Sequence, residues 1–197
     1  MVTAQPQPMD RREAIRLALS VSGYTDTDDL GWLYDQAAVT PAHLEVVEIG
    51  AYLGRSTTAL AAGRAITTRK PIWTIDHFLG SPEHIAAGLA GDLYRQFCEN
   101  ISRVGIHVSV VPYSSVHAAL VGHIHDIGFL FLDGAHDYES VRDDLVAWIP
   151  LLANGGILAV HDYVSEKWMG VKRAVDEIAY LFEPIEAVAS IWAGRLS

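Results

Sequence analysis

At 197 residues, half of them hydrophobic, the chain is long enough to bury one core without disulfides and leaves little room for a second folded domain. Its formal charge of −10 works against a broad, sequence-independent grip on nucleic acid, which needs Lys and Arg to neutralise phosphates, so a small or neutral partner fits better. No apolar run approaches the roughly 20 residues that span a bilayer; with Cys98 as the single cysteine no internal disulfide can form, which neither requires nor proves a reducing compartment, and a cytoplasmic location is the default expectation.

In chain order, Met1 to Pro8 is rich in Gln and Pro, has no basic cluster ahead of an apolar run, and reads as a flexible tail over residues 1–10 rather than a signal peptide. One domain over 11–197 follows. Arg11–Leu19 and Leu30–Ala38 carry apolar residues at helical spacing on either side of the polar turn Gly23–Asp29, predicting a helical preamble. From Glu45 short apolar runs alternate with longer helical patterns. The runs are Val46–Ile49, Ile72–Ile75, Val108–Val111, Phe129–Leu132 and Ile157–Val160; the helical stretches are Thr57–Ala65, about His84 to Val104, Tyr138–Leu152 and Val171–Phe182. This rhythm predicts parallel βαβ units, and the continuously apolar strands indicate a sheet covered on both faces. Ile185–Leu196 adds one or two further strands. The expected architecture is a three-layer α/β/α, Rossmann-like fold with a mostly parallel sheet of about seven strands.

Ligands of such sheets sit beyond the carboxyl ends of the strands. There the sequence delivers Glu48 to Gly50, Asp76, Asp133, and the pair His161 and Asp162. The segment from Glu48 to Thr57 leaves a strand, turns on glycine and enters a helix at Ser56 or Thr57, with backbone N–H groups open to an anion. Any βα unit needs a glycine turn and a Ser/Thr cap, so Gly54 and Ser56 alone carry no function. The spacing is E-x-G-x-x-x-G. It is neither the G-x-G-x-x-G of dinucleotide sites nor a P-loop, and an acid ahead of the first glycine repels a pyrophosphate but can hold an amino group. Asp76, about twenty residues past Gly54, is placed to accept from two ribose hydroxyls.

Glu48 to Thr57 with Asp76 resembles motifs I and II of class I S-adenosylmethionine-dependent methyltransferases. The resemblance implies that Glu48 and Gly50, Ala51 and Tyr52 lie at the methionine part of that cofactor, that Ser56 and Thr57 cap its carboxylate, that Asp76 holds the ribose and that His77 lies beside the adenine. After the third strand the family often has Gly-Asp-Ser; this chain has Tyr113-Ser114-Ser115, in which only Ser115 matches.

The run Asp133 to Glu139, with Trp148 to Pro150, Gly155-Gly156 and His161-Asp162-Tyr163, is similar to metal-dependent sugar O-methyltransferases of macrolide biosynthesis, a likeness running from about Glu45 to Glu177. It implies transfer of a methyl group to a hydroxyl of a sugar or glycosylated metabolite. A phenol or an amine remains an alternative acceptor. A sugar hydroxyl is a poor nucleophile, and Mg²⁺, which prefers hard oxygen ligands, would lower its pKa. Asp133 and Asp162 would supply carboxylates. His161 is either a third ligand, favouring Mn²⁺, or a strand-end group bonded to backbone. His136, three residues past Asp133, suits a general base, the alternative being a helix cap. Homodimerisation is expected from the amphipathic first helices and from the habit of the family.

Blander readings apply elsewhere. Leu145, Trp148, Leu151 and Leu152 are core, as are Trp32, Trp73 and Trp192; Arg142, Asp143 and Asp144 form a solvated helix face. His84 touches the acceptor or starts a surface helix, and Tyr163 and Trp168 wall the acceptor pocket. A non-catalytic binder would have no need of Asp133, His136 and Asp162, and a nicotinamide oxidoreductase would need the G-x-G-x-x-G and a Tyr-x-x-x-Lys pair that are missing.

Overall fold

The structure, a computed structural model, describes residues 8–80, 85, 88, 91–188 and 190–197; residues 1–7 of the expected tail, and His84, lie outside them. Two helices, α1 (Arg11–Leu19) and α2 (Thr27–Val39), precede β1 (Glu45–Ile49), α3 (Arg55–Thr67), β2 (Ile72–Ile75), α4 (Leu93–Val104), β3 (Val108–Val111), α5 (Ser115–Leu120), β4 (Ile127–Leu132), α6 (Tyr138–Trp148), β5 (Leu152–Val160), α7 (Met169–Ile178), β6 (Phe182–Pro184) and β7 (Trp192–Leu196). The strands form one sheet in the order β3-β2-β1-β4-β5-β7-β6. The first five are parallel, while β7 runs antiparallel to both β5 and β6. Strand order reverses between β1 and β4, which opens a crevice at their carboxyl ends.

Alternation along each strand sends side chains to opposite layers. Val47, Ile49, Leu130, Leu132, Leu158 and Val160 pack under α6 and α7 with Trp148, Leu145, Val141 and Val175. Val46, Phe129, Phe131 and Ala159 pack on the other face against Leu33, Ala37 and Leu60 of α2 and α3. Both faces are therefore apolar, as the uninterrupted runs require. The fully buried Arg64 ties the α2–β1 connection to α3, its guanidinium donating to the carbonyls of Thr40, Pro41, Ala42 and Leu44. Among the described residues no helix is long and apolar enough to cross a membrane.

Several boundaries differ from expectation. Helix α2 starts at Thr27 inside the expected turn, because Asp26 caps the amides of Asp28 and Asp29 and the Asp29 carboxylate accepts from the Asp26 amide in return. Helix α3 starts at Arg55 on Gly54, so Ser56 and Thr57 are not its caps. Strand β5 begins at Leu152, not Ile157, because α6 ends at Trp148 and Pro150 sits in the 3-10 turn Ile149–Leu151. Helix α5 was not foreseen, and neither was β6 (Phe182–Pro184), whose first residue read as the end of a helix.

Candidate active site

The crevice is shaped first by glycine. Gly50 has φ +86°, and a Cβ there would lie 2.1 Å from the backbone oxygen of Asp133, so the turns after β1 and β4 touch only because residue 50 has no side chain. The Gly50 amide donates to Ile75, and the Ala51 and Tyr52 amides both donate to one oxygen of Asp76 at 2.9 Å. The other Asp76 oxygen accepts from the Phe78 amide at 2.7 Å. The Gly50, Ala51 and Tyr52 amides thus already have partners, Asp76 ties the turn together while still lining the crevice, and the amides left for an anion are those of the first turn of α3, where Gly54 gives no side-chain cap.

Glu48 does not reach the crevice. It is wholly buried; the Ser56 and Thr57 hydroxyls each donate to it at 2.6 Å, and Thr74 donates at 3.2 Å. Burial lifts its pKa to about 7 against the pull of those three hydroxyls. The expected contact of Glu48 with an amino group is corrected to an internal network that also takes up the Ser56 and Thr57 hydroxyls, which leaves those two residues only their backbone amides for a carboxylate.

Two cavities flank the Gly50–Gly134 contact. The first, about 430 Å³, is lined by Asp76, His77, Ser115 and Asp144 among others. His77 accepts the Leu79 amide on Nδ1 at 3.0 Å and is exposed. Ser115 donates to Asp144 and accepts from Trp148 Nε1 at 3.0 Å, so its hydroxyl serves Asp144 first. Asp144 itself is a correction: Arg142 and Asp143 form an exposed ion pair, but Asp144 is only 8% exposed and faces the cavity. Burial raises its pKa to about 6 although Ser115 pulls it down.

The second cavity, about 480 Å³, shares Gly50, Tyr52, Asp133 and Gly134 with the first and is completed by His136, His161, Asp162, Trp168, Arg55 and Tyr24. Tyr24 and Tyr52 stack with ring centroids 5.9 Å apart on one side. On the other, Trp168 lies against His136. Asp133 and Asp162 come from the ends of β4 and β5, and His136 from the turn into α6, whose first residues are capped by Asp137 rather than by His136. Asp133, His136 and Asp162 can each offer one ligand atom, all within 4.8 Å of one another. His136 Nε2 is 3.2 Å from an Asp162 oxygen; its Nδ1 is buried without a hydrogen-bond partner.

His161 lies behind this group. Its Nδ1 is 3.3 Å from oxygens of both Asp133 and Asp162, in hydrogen-bonding alignment with neither, and its Nε2 is 3.3 Å from Asp29. Burial alone would lower its pKa, but Asp133, Asp162 and Asp29 outweigh that and push it up to about 12. A protonated imidazole has no lone pair to give, so the surrounding acids favour an internal cation over the expected ligand role of His161. Burial works to raise Asp162, yet His136 and His161 hold it well below the usual carboxylate range. Asp29, buried and bonded by Ser190, is likewise held low by His161 against its burial.

Three contributors were not foreseen. Asp29 stood in an expected turn, Asp144 on an expected solvent face, and Gly170 lay within the family likeness with no role of its own. A Cβ on Gly170 would meet the Tyr138 amide nitrogen at 2.6 Å and the His136 carbonyl oxygen at 2.7 Å, so α7 presses directly on the turn that carries His136.

A family model described as "Methyltransferase domain" matches residues 47–163. Among solved structures, the O-methyltransferase NovP superposes with a TM-score of 0.71 at 18% identity, covering 89% of this chain and 83% of that one. An O-methyltransferase from Bacillus cereus in complex with SAH gives 0.63 at 19% identity, covering 96% and 92%. CalS11, a TDP-rhamnose 3'-O-methyltransferase of calicheamicin biosynthesis, gives 0.60 at 17%, covering 98% and 96%. At these identities the structural likeness is one of fold.

Proposed function

The chain belongs to the methyltransferase-domain family, and from that premise we propose that it is an S-adenosylmethionine-dependent O-methyltransferase that uses Mg²⁺ or Mn²⁺ and acts on a hydroxyl of a sugar or glycosylated metabolite. The observation that carries the reading is the convergence of Asp133, His136 and Asp162 on the second cavity, beside the wall it shares with the first. The names of the fold relatives favour an oxygen acceptor, and one of them acts on a nucleotide-linked sugar.

S-adenosylmethionine fits the first cavity on the chain's own features. Gly50 lets the turns after β1 and β4 meet at its wall, Asp76 lines it with a carboxylate whose three amide bonds leave one acceptor site, on Oδ1, for a ribose hydroxyl, and His77 offers a ring to the base. When bound, the cofactor supplies an electrophilic methyl group. A divalent cation also fits the paired carboxylates of Asp133 and Asp162. With all three acids ionised, His161 leaves Asp29, Asp133 and Asp162 an excess of two negative charges, which such an ion balances. Asp133 and Asp162 would hold it, and when bound it supplies Lewis acidity toward a hydroxyl.

The residues then divide the work. His136 lines the cavity and its Nδ1 is buried, which leaves Nε2 as the nitrogen to take the hydroxyl proton. Trp168 fixes the plane of that ring, and the Tyr24–Tyr52 stack with Trp168 gives an acceptor apolar walls that displace water. His161 holds Asp133 and Asp162 in one place. Orientation of two bound reactants supplies much of the rate.

The test is methyl transfer from S-adenosylmethionine to a panel of sugars, glycosides, phenols and amines, with EDTA and after restoring Mg²⁺ or Mn²⁺. Transfer to a sugar hydroxyl that EDTA stops and either ion restores is the expected result. Transfer indifferent to EDTA removes the cation from the mechanism, transfer confined to phenols or amines removes the sugar, and failure of S-adenosylhomocysteine to bind removes the cofactor.

A further inference from the structure

Asp144 is an acid the fold has no need to bury. Its neighbours Arg142 and Asp143 satisfy each other in solvent, and α6 packs through Val141, Leu145 and Trp148. Asp144 instead turns into the first cavity, where it is 8% exposed. Its two oxygens are not equivalent. Oδ1 accepts the Ser115 hydroxyl, and that hydroxyl in turn accepts the Trp148 indole N–H, so the relay Trp148 to Ser115 to Asp144 fixes the direction of every proton. Oδ2 makes no hydrogen bond among the described residues. A Cβ on Gly134 would come within 3.7 Å of it, and Asp144 and Gly134 both line the cavity.

An ionised carboxylate accepts and never donates. The cavity therefore presents, on the side of α6, an oriented acceptor that asks for an N–H or O–H. Asp76 marks the ribose end of the same cavity, and a base extending from it past His77 meets Ser115 and Asp144. On the edges of adenine, N1, N3 and N7 are acceptors, and the only N–H groups are those of the exocyclic amine. We infer that Asp144 is the specificity residue for the adenine ring of the cofactor, its Oδ2 accepting from the exocyclic amino group while Ser115 and Trp148 hold the carboxylate in place. The inference rests on the reading of the first cavity as the S-adenosylmethionine site.

Calorimetric binding of S-adenosylhomocysteine and S-inosylhomocysteine to the full chain tests it. In the inosyl ligand a carbonyl replaces the amine and would face the carboxylate oxygen. The protein is expected to prefer the adenosyl ligand by about 10- to 100-fold, the range for a hydrogen bond to a charged group. In Asp144→Asn the amide can keep the Ser115 bond and donate its own N–H to the inosyl carbonyl, so the preference is expected to shrink to within about threefold or reverse. Asp144→Ala is expected to weaken the adenosyl ligand without improving the inosyl one. The preference is a ratio measured on each folded variant, so a change in stability does not enter it. An unchanged ratio in Asp144→Asn overturns the inference while leaving the cofactor site intact. Failure of the unsubstituted protein to bind either ligand overturns the cofactor site itself and the inference with it.

Discussion

The imidazole of His136 lies flat on the indole of Trp168, with ring centroids 4.2 Å apart and planes 17° apart, and Lys167 sets its ammonium 4.1 Å from the centre of the same indole. A ring held only by its Asp162 contact could still turn about that axis; the stack removes the rotation. Trp168→Ala is expected to lower turnover about tenfold, with Trp168→Phe recovering part of it. The melting temperature should move little in both, because one half-exposed stacked pair contributes about 0.5–1.5 kcal/mol. Equal losses of turnover and stability would mean that the indole acts only as packing.

The acid below the site makes stability depend on pH. Glu48 has a folded pKa of about 7 against an ordinary 4.5, so the native state holds its proton more tightly than the unfolded chain does. This contribution is complete below about 4.5 and is lost as pH rises through about 7, a change on the order of 3 kcal/mol. Asp144 adds the same sign up to about 6. Urea midpoints should therefore fall between pH 5 and pH 8, with the raised pKa of His161 adding to the fall above about 6.5, and Glu48→Gln should flatten chiefly the part between pH 5 and pH 7. A Gln variant with the original slope would assign it to other groups.

Gly170→Ala probes the pressure of α7 on the His136 turn. The added methyl group meets two backbone atoms under 3.0 Å, neither of which can swing aside, so the turn must shift. Activity is expected to drop more than tenfold for a stability cost of about 1–3 kcal/mol. A methyl group tolerated without loss of activity would show that His136 does not need its present position.

Cation binding can be followed by the loss of the Mn²⁺ spin signal on titration with protein. Asp133→Asn and Asp162→Asn are each expected to weaken it at least tenfold, since each removes an anionic oxygen from the cluster. Retained binding in both variants would place the ion elsewhere.

The sheet was legible because its five parallel strands are buried on both faces and appear as unbroken apolar runs, and the crevice was legible because acids and histidine stand where those runs end. What escaped depends on contacts between distant segments. Helix α5 has six residues, too few for a period to show, and β6 continues an apolar spacing that began in α7. Asp144 sits among charged neighbours, and only the arrival of Ser115 and Gly134 makes its side of α6 an interior one. The network around Glu48 escaped for a similar reason: a hydroxyl next to a turn can serve a ligand or an internal acid, and the spacing is the same for both.

Asp29 has a consequence for the order in which the molecule assembles. Its carboxylate binds partners 132 and 161 residues further along the chain, His161 and Ser190. Loops of that size cost conformational entropy to close, and contacts of such separation form late in folding. The cation that holds Asp133 and Asp162 together is thus secured only when α2 and the segment ahead of β7 have docked around it. A chain that has formed its parallel strands but not this junction would carry the acids without their clasp. Catalytic competence therefore arrives with the last long-range closure rather than with the sheet, and local opening at Ser190 would abolish it before the core melts.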